Sequence, residues 1–150
     1  MDLEKIVKKA GVKVYDNLTY EELTGVIYHK IEDITKISAI LTEYTRNYDV
    51  NENIMNLAIS EYNLPCKTKI KDLSINEKQF KNKAKENLQD YNNLLKLTDD
   101  SIISLRKAIE SYVIELLKLA KKECKKRTNT DKIEPKDIQS ARRLIDDCNF

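Results

Sequence analysis

The sequence predicts an all-α protein built from two short-long-short helix triplets that pair within one chain. Three observations carry this expectation. Glycine and proline number two each in 150 residues, so little interrupts helical periodicity, and strand-like alternation is hard to find. Two long apolar stripes step by three or four residues. The order short helix, loop, long helix, loop, short helix runs through residues 1–62 and returns in 75–147, which is the self-similarity of a duplicated unit. One triplet cannot close its own core, because its long helix has more flank than two short helices can cover. Two triplets can cover each other.

Each element follows from local residues. Asp2 is placed to cap a first helix that runs to about Ala10 and stops at Gly11. Residues 11–18 form a loop. Thr19-Tyr20-Glu21-Glu22 reads as a capping box. The long helix behind it carries the stripe Tyr20, Leu23, Ile27, Ile31, Ile34, Ile37, Leu41 and Tyr44. After a loop at 46–50, Asn51 caps a short helix through Ile54, Leu57, Ala58 and Tyr62. Residues 63–74 form a connector with Pro65 and three lysines. Ser74-Ile75-Asn76-Glu77 reads as a second capping box, opening a helix through Phe80, Ala84 and Leu88 to about Tyr91. Beyond loop 92–97, Thr98 caps the second long helix, with Asp99 and Asp100 in its first turn, where negative charge is favoured. Its stripe is Ile102, Leu105, Ile109, Tyr112 or Val113, Leu116, and Leu119 or Ala120. A polar loop covers about 128–134, and Pro135 takes the first position of the last helix, where no amide hydrogen is needed. The two stripes would also suit a coiled coil, but interruptions at matching places in both halves count against a plain rod.

Composition narrows function. Charged residues are 35 % of the chain, so the core must come from narrow stripes. No run is long and apolar enough for a membrane span, and no basic-then-apolar leader opens the chain, so secretion is not expected. Cys66, Cys124 and Cys148 are widely spaced and His29 is the single histidine. Neither a structural zinc site nor a Cys–His dyad is expected, and a reducing compartment suits these thiols. No catalytic constellation or glycine-rich phosphate loop is present, so no enzyme, cofactor or metal is expected. The net charge of +2 is uneven: residues 1–62 carry seven Lys/Arg against eleven Asp/Glu, and residues 77–150 carry seventeen against thirteen. A whole-molecule field will not pull the protein strongly onto nucleic acid, so any binding must come from local placement.

Specific residues add a resemblance. Lys8-Lys9-Ala10-Gly11-Val12-Lys13, Leu18-Thr19-Tyr20-Glu21-Glu22, Gly25-Val26 and Thr42-Glu43 resemble the core of histone four, without a gap from about Ile6 to Ile59. The second half resembles the core of histone three at Phe80, Gln89-Asp90-Tyr91, Leu95-Lys96, Ala108, Glu110-Ser111-Tyr112-Val113 and, most specifically, Pro135-Lys136-Asp137-Ile138-Gln139 with Ala141-Arg142-Arg143. The loop before Pro135 is one residue longer than the family's. A doublet in this order is similar to the histone doublets of giant viruses such as the Marseillevirus group. With Met1 at the start of the first helix, no basic tail of the kind that cellular histones carry is expected ahead of it.

The resemblance implies two histone folds, 1–62 and 75–150, paired as a handshake, and a structural role in packaging double-stranded DNA into nucleosome-like particles. Histones hold DNA by its backbone, through inserted arginines, helix ends and main-chain amides. Three basic sites would then share one edge. The first joins Lys13 to Arg127 and Lys132. The second joins Arg46 to Lys96. The third sets Lys8 and Lys9 near Lys81 and Lys85, beside two helix amino ends. Departures weaken the expected grip: Val14 and Tyr48 stand where the family has basic residues, and Asp16 and Asp49 add negative charge. Binding should therefore be weaker and more salt-sensitive than for cellular histones.

Two protein surfaces are implied as well. Cys124, Lys126, Asp137, Arg143 and Leu144 would form a four-helix bundle with a second copy of the chain, with Lys126 replacing the family's histidine opposite Asp137. Leu41, Tyr44 and Leu57 match the surface that would receive a doublet resembling the other two core histones. The expected location is a viral factory, a virion or a host nucleus. The alternative is a histone-fold interaction module, of the kind found in transcription or kinetochore assemblies, that binds protein more than DNA.

Overall fold

Helix ends set the layout. The computed structural model describes residues 3–14, 16–62, 64, 72–130 and 132–147. Among these, six helices and two very short strands occur in the order α1 (Glu4–Lys9), α2 (Asn17–Tyr44), β1 (Asp49–Val50), α3 (Glu52–Tyr62), α4 (Glu77–Tyr91), β2 (Lys96–Leu97), α5 (Asp99–Thr128) and α6 (Pro135–Asp147). The chain is therefore all-α in class, with a short-long-short order in each half.

Gly11 stops α1 as expected. It takes φ +71°, and the amides of Gly11 and Val12 donate back to the Lys8 and Val7 carbonyls at 3.0 and 3.3 Å, closing the last turn. Asn51 and Thr98 cap α3 and α5, accepting from the Ile54 and Ser101 amides at 2.9 and 3.2 Å. The two capping boxes do not form. Asp16, whose carboxylate suits a helix amino end better than a hydroxyl does, accepts from the Leu18 amide at 2.9 Å and starts α2 earlier. Thr19 is buried inside the helix, and its hydroxyl donates to the Ile133 carbonyl at 3.4 Å. At α4 the cap is Asn76, which accepts from the Gln79 amide at 3.0 Å, while the Ser74 amide donates to Glu110. Asp2 and most of connector 63–74 lie outside the described residues.

The halves interlock. α1 packs on α5, α4 packs on α2, and α3 and α6 each touch both long helices. The long helices touch each other less than they touch the short helices of the opposite half, so the molecule is not a two-helix rod. α5 is the central post. From Ala108 to Leu117 it is buried almost all round, Glu115 being partly exposed, and both Tyr112 and Val113 lie in the core. α2 contributes Leu23, Val26, Ile27, Ile31 and Ile34, after which Thr35, Ser38 and Thr42 are buried in place of larger groups. The Ser38 and Thr42 hydroxyls donate to the Thr35 and Ser38 carbonyls at 2.7 and 2.8 Å, which satisfies them inside the core.

The stripe on α2 does not reach Tyr44, which is 88 % exposed. At about 100° per residue, Thr42 lies roughly 20° from Ile31 around the helix and Tyr44 roughly 140° away. A buried cation staples α2 to α3 and α6. The Lys30 ammonium lies 5.1 and 5.2 Å from the ring centres of Tyr62 and Tyr112. It donates to the Tyr62 hydroxyl at 3.1 Å and pairs with Asp146 at 3.5 Å. Tyr62 in turn donates to Asp33 at 2.8 Å. Burial first, and then Asp33, push the Tyr62 phenol well above its ordinary range.

Candidate nucleic-acid interface

The interlock brings loops from opposite halves together at two ends of the molecule. At the first, Lys13 pairs with Lys132 in a parallel bridge, and the Ile133 amide donates to the Lys13 carbonyl at 3.3 Å. Both lysines are exposed. Cys124 lies beneath this loop, fully buried, with its thiol donating to the Lys132 carbonyl at 2.8 Å. It pins the loop from inside the chain and is not part of an exposed association surface, because an apolar thiol is favoured in the core.

Arg127 is drawn away from this site. Its Nε and Nη2 donate to the two Asp137 oxygens at 3.1 and 3.0 Å, and Nη2 lies 3.2 Å from Glu134. Asp137 also accepts from the Glu134 amide at 2.9 Å, closing the first turn of α6. Burial alone would raise the Asp137 carboxyl, but the Arg127 and Glu134 hydrogen bonds outweigh it and hold the group below the usual carboxylate range. A forked guanidinium matches a carboxylate in two places, so it takes the partner expected for Lys126. Lys126 instead reaches Glu123 at 3.5 Å.

At the second end, β1 and β2 run parallel, with Asp49 beside Lys96 and Val50 beside Leu97. The Lys96 amide donates to the Tyr48 carbonyl at 2.9 Å and the Thr98 amide to the Val50 carbonyl at 3.2 Å. Asn92 crosses to Glu43 at 3.0 Å. Arg46 terminates α2 with φ +60°, and the Arg46 and Asn47 amides close the turn at 3.0 and 3.2 Å. Arg46 and Lys96 are exposed in these joined loops. Lys85 also belongs here, because it lines an open cavity of about 260 Å³ with Leu88, Gln89, Leu95, Lys96 and Leu97.

The expected central site is largely used up. Lys9 turns inward to Glu110 at 2.9 Å and to the Asp72 carbonyl. Lys81 pairs with Asp99 at 3.3 Å. Helix α1 has only six residues, and its N-cap, Leu3, is buried. Lys8 remains exposed. Of the residues expected to meet protein partners, Arg143 and Leu144 are exposed on α6, Tyr44 and Leu57 are exposed on α2 and α3, and Leu41 is half-buried. Sequence reasoning missed three buried charges: Lys30, Glu110, and Arg106, whose Nη2 donates to the Ile75 carbonyl at 2.8 Å. Lys30 adjoins Ile31 of the first stripe, and Arg106 and Glu110 adjoin Leu105 and Ile109 of the second. Charges so close to an apolar stripe were the available signal.

Models of known protein families and curated proteins give no match to this chain. Among the described residues, no group of three His, Cys, Asp or Glu side chains could hold a metal ion, and no helix is long and apolar enough to cross a membrane. Chemically, the two joined loop pairs offer exposed ammonium and guanidinium groups on hydrogen-bonded backbone, an arrangement suited to phosphate.

Proposed function

We propose that the chain is a DNA-packaging histone doublet: a histone-four-like fold and a histone-three-like fold clasped in a handshake, gripping duplex DNA by its phosphates without reading bases. The observation that carries this reading is the parallel pairing of loops across the two halves, Lys13 with Lys132 and Asp49 with Lys96. It puts Lys13 beside Lys132 at one end and joins the loop after Arg46 to Lys96 at the other. Lys8, Lys13, Lys132, Arg46, Lys85 and Lys96 are the proposed contacts, a second copy joins through Arg143 and Leu144, and a doublet resembling the other two core histones docks on Tyr44 and Leu57. A virion, a viral factory or a host nucleus would suit this role.

The test is protection of duplex DNA from nuclease across a salt series. Counterion release makes affinity fall steeply with salt, so protection at low salt should vanish at moderate salt. Protection that stays flat, or that never occurs with or without a partner doublet, would overturn the reading. A second reading, a protein-interaction module with weak DNA binding, is favoured by one observation: Lys9, Lys81 and Arg127 each hold a carboxylate. It predicts no protection at any salt.

A further inference from the structure

A phosphate grip leaves one feature of the Lys96 end unexplained. This end carries three exposed tyrosines, Tyr44, Tyr48 and Tyr91, exposed by 88, 69 and 41 %. Their placement is fixed by the fold. The Tyr48 carbonyl accepts the Lys96 amide at 2.9 Å, and Asn92, next to Tyr91, bonds Glu43, next to Tyr44, at 3.0 Å. Arg46 stands between Tyr44 and Tyr48 in the chain, and Lys85 and Lys96 share the adjoining cavity. Tyr44 and Tyr91 end α2 and α4 and Tyr48 lies in the loop after α2, and exposed rings grouped in this way mark an interaction surface.

Phosphates have no use for an aromatic face, and in a duplex the bases cover each other. Unpaired bases do stack on such faces, while neighbouring cations hold their phosphates, and the stacking tolerates any sequence. Charge by itself is modest here, because Asp49 and Asp90 are exposed nearby. The rings must therefore supply the margin. We propose that this end binds single-stranded nucleic acid, with Tyr48 and Tyr91 stacking unpaired bases and Arg46, Lys85 and Lys96 neutralising the strand. This does not depend on the packaging reading, since single-strand binding and duplex protection are separate measurements.

The experiment measures binding of the whole protein to an oligothymidine strand, an abasic strand of equal length and a duplex of equal length, by quenching of tyrosine fluorescence and by electrophoretic shift. The abasic strand keeps every phosphate and lacks the bases. It should bind about tenfold more weakly or worse, the scale of one to two lost stacks. Tyr48→Ala with Tyr91→Ala should bring the oligothymidine strand down to the abasic level and leave the duplex unchanged, whereas the two phenylalanine replacements should retain binding. Equal affinity for the normal and abasic strands would overturn the proposal. So would equal losses on strand and duplex, or self-association of the free protein that the alanine variant abolishes, which would mark a protein-docking patch. If the alanine variant does not fold, the comparison of normal and abasic strands on the unaltered protein still decides.

Discussion

Arg46 combines two opposed demands. Its backbone lies in the left-handed region at φ +60°, which disfavours a side chain and costs on the order of 1 kcal/mol, yet its guanidinium is one of the exposed cations of the joined loops. Glycine at this position relieves the backbone and removes the charge. Arg46→Gly should raise stability by up to about 1 kcal/mol, after allowing for glycine's greater freedom in the unfolded chain, while weakening DNA binding. Urea unfolding and a binding titration would read the two effects separately, and a loss in both would assign Arg46 a structural role. The basic character of this loop could be read from the sequence. The fate of Arg127 could not, because its partners Glu134 and Asp137 reach it only once the intervening loop folds back on α5.

At the scale of elements, the junction of α5 with α6 depends on that same ion pair. The Asp137 carboxyl is held below its unfolded value, so its contribution is present above pH about 4 and disappears as pH falls through the depressed folded value. Asp137→Asn should cost about 1–3 kcal/mol at neutral pH, toward the lower end because Arg127 is partly exposed. It should also flatten the acid limb of stability, so that variant and unaltered protein converge at low pH. Denaturant midpoints across a pH series would check this, and parallel curves would exclude it. The existence and order of the helices were legible from periodicity and caps, and Asn51, Thr98 and Pro135 sit at the helix starts the sequence suggests. The starts of α2 and α4 were not, because several capping residues compete within a few positions and tertiary bonds to Ile133 and Glu110 claim Thr19 and Ser74.

Across the whole molecule, Glu110 ties together three stretches of chain. It is fully buried, accepts Lys9 from the first half at 2.9 Å, and accepts the Ser74 amide on both oxygens at 3.0 and 2.9 Å. Removing the carboxylate leaves the Ser74 amide without its acceptor, while Lys9, a third exposed, can turn to water. Glu110→Ala should therefore cost about 1–3 kcal/mol, with Glu110→Gln costing less because it keeps an acceptor. Calorimetry or urea unfolding would measure both, and a neutral Glu110→Ala would show that α1 is held by apolar packing alone. Pairing of the halves was legible as a necessity, since neither triplet could cover its long helix. Which charges the pairing would consume was not, because that depends on atoms brought together from positions as far apart as Lys9 and Glu110.

The interlock also has a consequence for synthesis. Residues through Tyr62 emerge from the ribosome before their partners exist, and at 5–20 residues per second roughly 3–13 s separate Tyr62 from Thr128. During that interval Ile27, Ile31 and Ile34 are only partly covered, by α3 and then α4, and are open to chaperones or to a neighbouring nascent chain. The covalent tether then acts as a kinetic bias, because a linked second half arrives at an effective concentration on the order of millimolar and outcompetes strangers.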